Sequence, residues 1–97
     1  MTLEYDLEAG ALYIRVADGK VARTRELDGN TLADVDADGN VLGVEVVSAA
    51  YPWALTEVLQ MEGISASAKA QIRAYFMAPV MPVMSVSVWP ALAAIAL

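Results

Sequence analysis

No charged residue occurs between Ala74 and Leu97, and all twelve acids of the chain lie at or before Glu62. Those twelve acids against Arg15, Lys20, Arg23 and Arg25 give residues 1 to 62 a net charge of -8, and Lys69 with Arg73 make the remainder +2. A continuous apolar stretch of this length is not left in water, so it demands a protein partner, a membrane or a place in the chain's own core. The chain therefore reads as an acidic head joined to an apolar tail. The tail accounts for much of the 58% hydrophobic content and the mean hydropathy of +0.48. At 97 residues there is room for one small core, whose stability fusion, oligomerisation or a partner would supplement. A net charge of -6 with no basic cluster excludes nucleic acid, because phosphate binding rests on grouped Lys and Arg. The absence of cysteine rules out a disulfide framework and thiol catalysis. The absence of histidine removes the commonest general base and the commonest metal ligand. Met1 to Asp6 lacks a basic region followed by an apolar run, so a secretory signal is not expected, and the expected compartment is the cytoplasm or a particle assembled there.

From Leu3 to Val47 short alternating runs are separated by turn residues, the pattern of a four- or five-stranded antiparallel meander. Strands are predicted over 3–6, 11–17, 21–27, 31–36 and 41–47. In the second, Leu12, Ile14 and Val16 point one way and Tyr13 and Arg15 the other; in the last, Leu42, Val44 and Val46 share a face. Asp18-Gly19 is a hairpin signal, and Asp28-Gly29-Asn30 and Asp38-Gly39-Asn40 mark further turns. A sheet with one apolar face needs a cover. Pro52 to Met61 is predicted as a short helix stopped by Gly63, with Trp53, Leu55, Val58 and Leu59 as its apolar stripe. Ser65 or Ser67 caps a second helix reaching Phe76, with Ala68, Ile72, Tyr75 and Phe76 on one face and Lys69 and Arg73 on the other. Two helices about Gly63 do not make a DNA reader, since the first is short and only two cations face outward. The expected class is α+β, mainly β, with a β domain over 1–47, a helical connector over 48–76 and an apolar tail over 77–97.

Tyr5-Asp6, Ala11-Leu12-Tyr13-Ile14, Gly19-Lys20-Val21-Ala22-Arg23-Thr24, Asp34-Val35-Asp36 and Gly39 through Val46 carry a resemblance. Over residues 3 to 47 the chain resembles the small bacterial and phage family known as domain of unknown function 2283. Gly10 stands where that pattern suggests an aspartate. The resemblance implies a small β fold, and it carries no catalytic residues to transfer.

Asp34 to Glu45 also fits the twelve-position calcium loop, with Asp34, Asp36 and Asp38 at positions one, three and five, Gly39 at six and Glu45 at twelve. Such a loop lies between helices, whereas strands flank this one. In a hairpin Glu45 is carried away from the turn at about 3.3 Å per residue. The expectation is therefore no metal and no cofactor, with these acids on a solvated face. The same argument disfavours a pair of catalytic carboxylates, and no enzymatic activity or small-molecule substrate is expected. Arg23 and Arg25 share one strand face and are expected to pair with acids on a neighbouring strand, an anion site being the alternative.

In the tail, Pro79 and Pro82 disfavour a helix, and Val83 to Trp89 alternates as a strand, Met84, Val86 and Val88 on one side and Val83, Ser85, Ser87 and Trp89 on the other. Pro79, Pro82, Pro90, Ser85 and Ser87 count against a membrane span, although the stretch is long enough and Arg73 flanks it. The alternation favours docking into other protein subunits, or into further copies of this chain, through Val80, Val83, Met84, Val86, Val88, Trp89, Leu92, Ile95 and Leu97. The function expected is that of a non-enzymatic structural subunit of a larger assembly, in its most concrete form an accessory or decoration protein of a phage particle. The alternatives are a small membrane-anchored protein held by residues 74–97, a tail folded into its own core, and a self-contained antitoxin-like regulatory partner.

Overall fold

The computed structural model describes residues 1–77. Five strands, β1 (Thr2–Asp6), β2 (Ala11–Arg15), β3 (Arg23–Asp28), β4 (Thr31–Val35) and β5 (Val41–Val46), form one antiparallel sheet, followed by helices α1 (Leu55–Leu59) and α2 (Ala66–Phe76). The sheet order is β1-β2-β5-β4-β3, so the sequential order of a meander holds for β3, β4 and β5 while β2 pairs with β5. The hairpin expected at Asp18-Gly19 is therefore not formed. Burial explains the exchange. β5 is the most apolar strand, with Val41, Leu42, Val44 and Val46 all buried, and the pairs Leu12↔Val46 and Ile14↔Val44 set the apolar side chains of β2 beside it. β3 is charged and exposed from Arg23 to Glu26, which suits an edge strand. Residues 16 to 22 carry the chain past the ends of β5 and β4. Val16 and Ala17 both donate to the Leu42 carbonyl, at 2.8 and 3.2 Å, and Ala22 donates to that of Val35 at 2.8 Å.

Directly paired residues share a face, so Leu3, Ile14, Val44 and Ala33 make one apolar row across four strands. The helices cover that face. The core consists of Ile14, Val35, Val41 and Val44 from the sheet with Val58, Leu59, Ile64, Ala68 and Ile72 from the helical segment, and Trp53, Leu55, Met61 and Phe76 pack around it. At about 1.5 to 3 kcal/mol gross for each large side chain, this burial is the main driving force for docking the helices on the sheet.

Two polar residues fasten the connector to the sheet. Asn30, in the β3–β4 turn, accepts from the Ser48 amide at 2.8 Å, and its Nδ2 donates to the carbonyls of Ser48 and Pro52 at 2.9 and 3.1 Å. Thr31 is fully buried, and its hydroxyl accepts from the Ala54 amide at 2.8 Å. The connector is thus part of the head's own core rather than a separate layer. α1 is shorter than predicted, beginning at Leu55 and ending at Leu59. Gly63 does not stop it but allows close approach: its carbonyl accepts from Val41 N at 3.0 Å, and a Cβ there would run into the Gly39 carbonyl. Ser65 caps α2, its hydroxyl accepting from Ala68 N at 3.1 Å. Ala68 and Ile72 are buried as predicted, but Tyr75 is 65% exposed, stacked edge-on against Phe76 at 4.8 Å. Phe76 meets Trp53 edge-on at 5.2 Å, which brings the end of α2 to the start of α1.

Candidate functional site

The helices cover one face of the sheet, and the chemistry-bearing side chains collect on the other. There Tyr13 of β2 reaches across β5 to β4, its phenol donating to Asp34 Oδ2 at 2.8 Å. The reach is possible because Gly43 lies between them; a Cβ at that position would collide with the hydroxyl end of the Tyr13 side chain. Thr24 of β3 donates to the other carboxylate oxygen of Asp34 at 2.6 Å. On the opposite flank the Arg15 guanidinium lies 5.3 Å from the centre of the Tyr13 ring, and its Nη2 is 3.3 Å from Glu4 Oε2 of β1. One polar chain, Glu4, Arg15, Tyr13, Asp34 and Thr24, therefore crosses the whole sheet.

Its electrostatics follow from burial and from the hydrogen bonds along the chain. Burial, and then the hydrogen bond to Asp34, push the Tyr13 phenol up to about 12, so it keeps its proton throughout the physiological range. Asp34 already accepts two hydroxyl protons, one on each oxygen. An activated nucleophile or base needs the opposite arrangement, a lowered phenol or a carboxylate left free to take a proton.

The four residues of the calcium pattern are not gathered around a common point. Asp34 and Glu45 lie on the open face, Asp34 holding Tyr13 and Thr24 and Glu45 standing opposite Tyr13 and Leu32 in the ladder. Asp36 is turned into its own loop, where Oδ1 accepts from the amides of Asp38 and Asn40, both at 2.9 Å, and Oδ2 from the Asn40 side chain at 3.1 Å. The Asn40 side-chain and backbone hydrogen bonds hold the Asp36 carboxyl below the ordinary aspartate range. Asp38 is exposed in the same turn. Among the described residues no group of three or more His, Cys, Asp or Glu side chains is placed to hold a metal ion.

Arg23 and Arg25 face Val35 and Ala33 in the neighbouring strand, so the expected cross-strand ion pairs have no acid to form with. Among the described residues the one ion pair is Arg15 with Glu4. The two arginines instead line a shallow groove of about 740 Å³ between β3 and α1, together with Asp38, Glu57 and Glu62. Three acids facing two cations do not make an anion pocket.

The tail positions singled out for docking, Val80, Val83, Met84, Val86, Val88, Trp89, Leu92, Ile95 and Leu97, lie outside the described residues. No helix among the described residues is long and apolar enough to cross a membrane. Sequence reasoning missed Asn30 and the Tyr13–Gly43–Asp34 contact. A glycine inside the otherwise bulky strand VLGVEV was the available signal for the latter, since such a residue marks close approach of another group.

Fold and open face together define a small α+β sheet domain braced by a cross-strand hydrogen-bond chain. Residues 2–49 match the model of the family described as "Protein of unknown function (DUF2283)"; this segment takes in all five strands and stops before α1. No curated protein and no solved structure matches the chain.

Proposed function

We propose that this protein is a non-enzymatic interaction subunit, in which the acidic sheet domain is displayed and the uncharged segment beyond Arg73 docks into other protein subunits. One observation carries the reading: among the described residues, Val58, Leu59, Ile64, Ala68 and Ile72 of the helical segment close the apolar sheet face formed by Ile14, Val35, Val41 and Val44. That cover supports assigning the apolar tail to another molecule rather than to this sheet face. Asn30 and Thr31, which fasten the connector to the sheet, support the same division. The open face, whose Asp34 is held by hydrogen bonds from Tyr13 and Thr24, supports a scaffold rather than a catalyst. The most concrete form is an accessory or decoration subunit of a phage particle, supported by the kind of family the head resembles.

The test compares the full chain with residues 1–77 by sedimentation and by partition onto phosphatidylcholine vesicles. Docking predicts that the full chain sediments as a larger species in detergent-free buffer and ignores vesicles, while residues 1–77 give a smaller, soluble species. Vesicle binding lost on truncation would replace docking with membrane anchoring. Equal sedimentation of both forms, without vesicle binding, would remove the role assigned to the tail.

A further inference from the structure

The two edges of the sheet differ in how they treat a second copy of the same strand. β1 borders only β2 and β3 borders only β4, so each leaves one side of its backbone without a strand partner among the described residues. Antiparallel self-pairing about a two-fold axis normal to the sheet sets residues equally spaced about the axis opposite one another, on the same face. For β3 every central register opposes like charges. An axis at Thr24 sets Arg23 against Arg25, at Arg25 that residue against itself and at Glu26 that residue against itself, while the register shift between Glu26 and Asp28 breaks the ladder at Leu27. β3 is thereby guarded against its own copy.

β1 is not guarded. An axis at Glu4 sets two Glu4 together and one at Tyr5 sets Glu4 against Asp6, but an axis at Leu3 opposes Leu3 with Leu3, Thr2 with Glu4 and Met1 with Tyr5. That register contains no like-charge pair. Its apolar pairs fall on the helix-covered face, where Met1 is 40% and Tyr5 55% exposed, continuing the row that starts at Leu3 and Ile14. We infer that β1 is a self-association edge: two copies of this chain join β1 to β1 in the register centred on Leu3, making one continuous ten-stranded sheet. The strand is short, and an edge of five residues buries less than the roughly 1,200 Å² of stable interfaces, so the dimer is weak and concentration-dependent. This association goes beyond the docking role of the tail and does not depend on it.

The experiment is sedimentation equilibrium on the full chain with charge changes at Thr2, an exposed residue on the open face. By symmetry Thr2→Glu creates two like-charge pairs with Glu4 of the second copy and Thr2→Lys two opposite-charge pairs. The dimer dissociation constant should rise with Thr2→Glu and fall with Thr2→Lys, each by about two- to thirtyfold. The same substitutions at Gln60, exposed at the end of α1 on the far side of the sheet, should leave it unchanged. Hydrogen exchange should show amide protection growing with concentration in β1 and constant in β3. A chain that stays monomeric to millimolar concentration overturns the inference. So does association indifferent to the sign at Thr2, which would place it at the tail, and so does concentration-dependent protection in β3.

Discussion

Replacing Gly43 by alanine tests the open-face brace where it is most constrained. The new methyl group would occupy the space of the Tyr13 ring, so the ring must swing off β5 and its hydroxyl must leave Asp34. A hydrogen bond to a charged acceptor contributes about 1.5 to 3 kcal/mol. The open face is solvated, which places this one in the lower half of that range. Alanine in place of glycine inside a strand returns about 0.5 to 1 kcal/mol. The net expectation is a loss of ~1 kcal/mol, read from the urea midpoint at unchanged slope. A double-mutant cycle isolates the cause: in a Tyr13→Ala background the clash is gone, and Gly43→Ala should stabilise by about 0.5 to 1 kcal/mol. Ultraviolet titration supplies a second readout, since a freed Tyr13 phenol should titrate below its native value of about 12, toward the ordinary 10.0. The reasoning fails if Gly43→Ala costs the same with and without Tyr13, or if the phenol titration does not move.

Asn30→Ala should cost about 2 to 4 kcal/mol, because it strands the Ser48 amide and the carbonyls of Ser48 and Pro52 together; a hydrogen-exchange map should show the loss spreading from the connector into α1. The raised Tyr13 phenol favours its protonated form in the folded state, so its contribution is full below pH 10, is lost as pH rises toward about 12, and should be absent from the alkaline stability profile of Tyr13→Phe. Asp36 has the opposite sign: its lowered carboxyl contributes above the ordinary aspartate range and loses that contribution as pH falls through its own value, a component of acid sensitivity that Asp36→Asn should remove. Calorimetric titration with calcium should give no saturable micromolar heat, and Asp34→Ala should lower stability through Tyr13 and Thr24 while leaving the calcium trace as it was.

Much of the fold was legible because its determinants are local. Alternation in Ala11–Arg15 and Val41–Val46 specifies strands with one apolar face, and the Ser65 cap with Ala68 and Ile72 specifies the second helix. Strand order was not, because Asp18-Gly19 has the chemistry of a tight hairpin, and only the competition for the central place beside β5 sends β2 past β3. Such competition depends on the summed burial of all strands, which no short window contains. The candidate site divides the same way. The acids from Asp34 to Glu45 were visible as a pattern, but hairpin geometry separates them. The contact that organises the open face joins Tyr13 to Asp34 across an intervening strand, a relation that appears only once β2 is set beside β5. Gly63 misled for a related reason. Its lack of a side chain serves close approach to the Gly39 turn, far away in sequence, rather than the end of the nearest helix.

The central claim is that the head is complete without the tail, and the urea midpoint of residues 1–77 against that of the full chain tests it most directly. Among the described residues the core cluster runs from Ile14 to Ile72, so the truncated chain should unfold cooperatively at a midpoint equal to that of the full chain within error. A truncated chain that is unfolded, or whose midpoint falls by the equivalent of several buried side chains at about 1.5 to 3 kcal/mol each, would contradict the account and return the tail to the protein's own core.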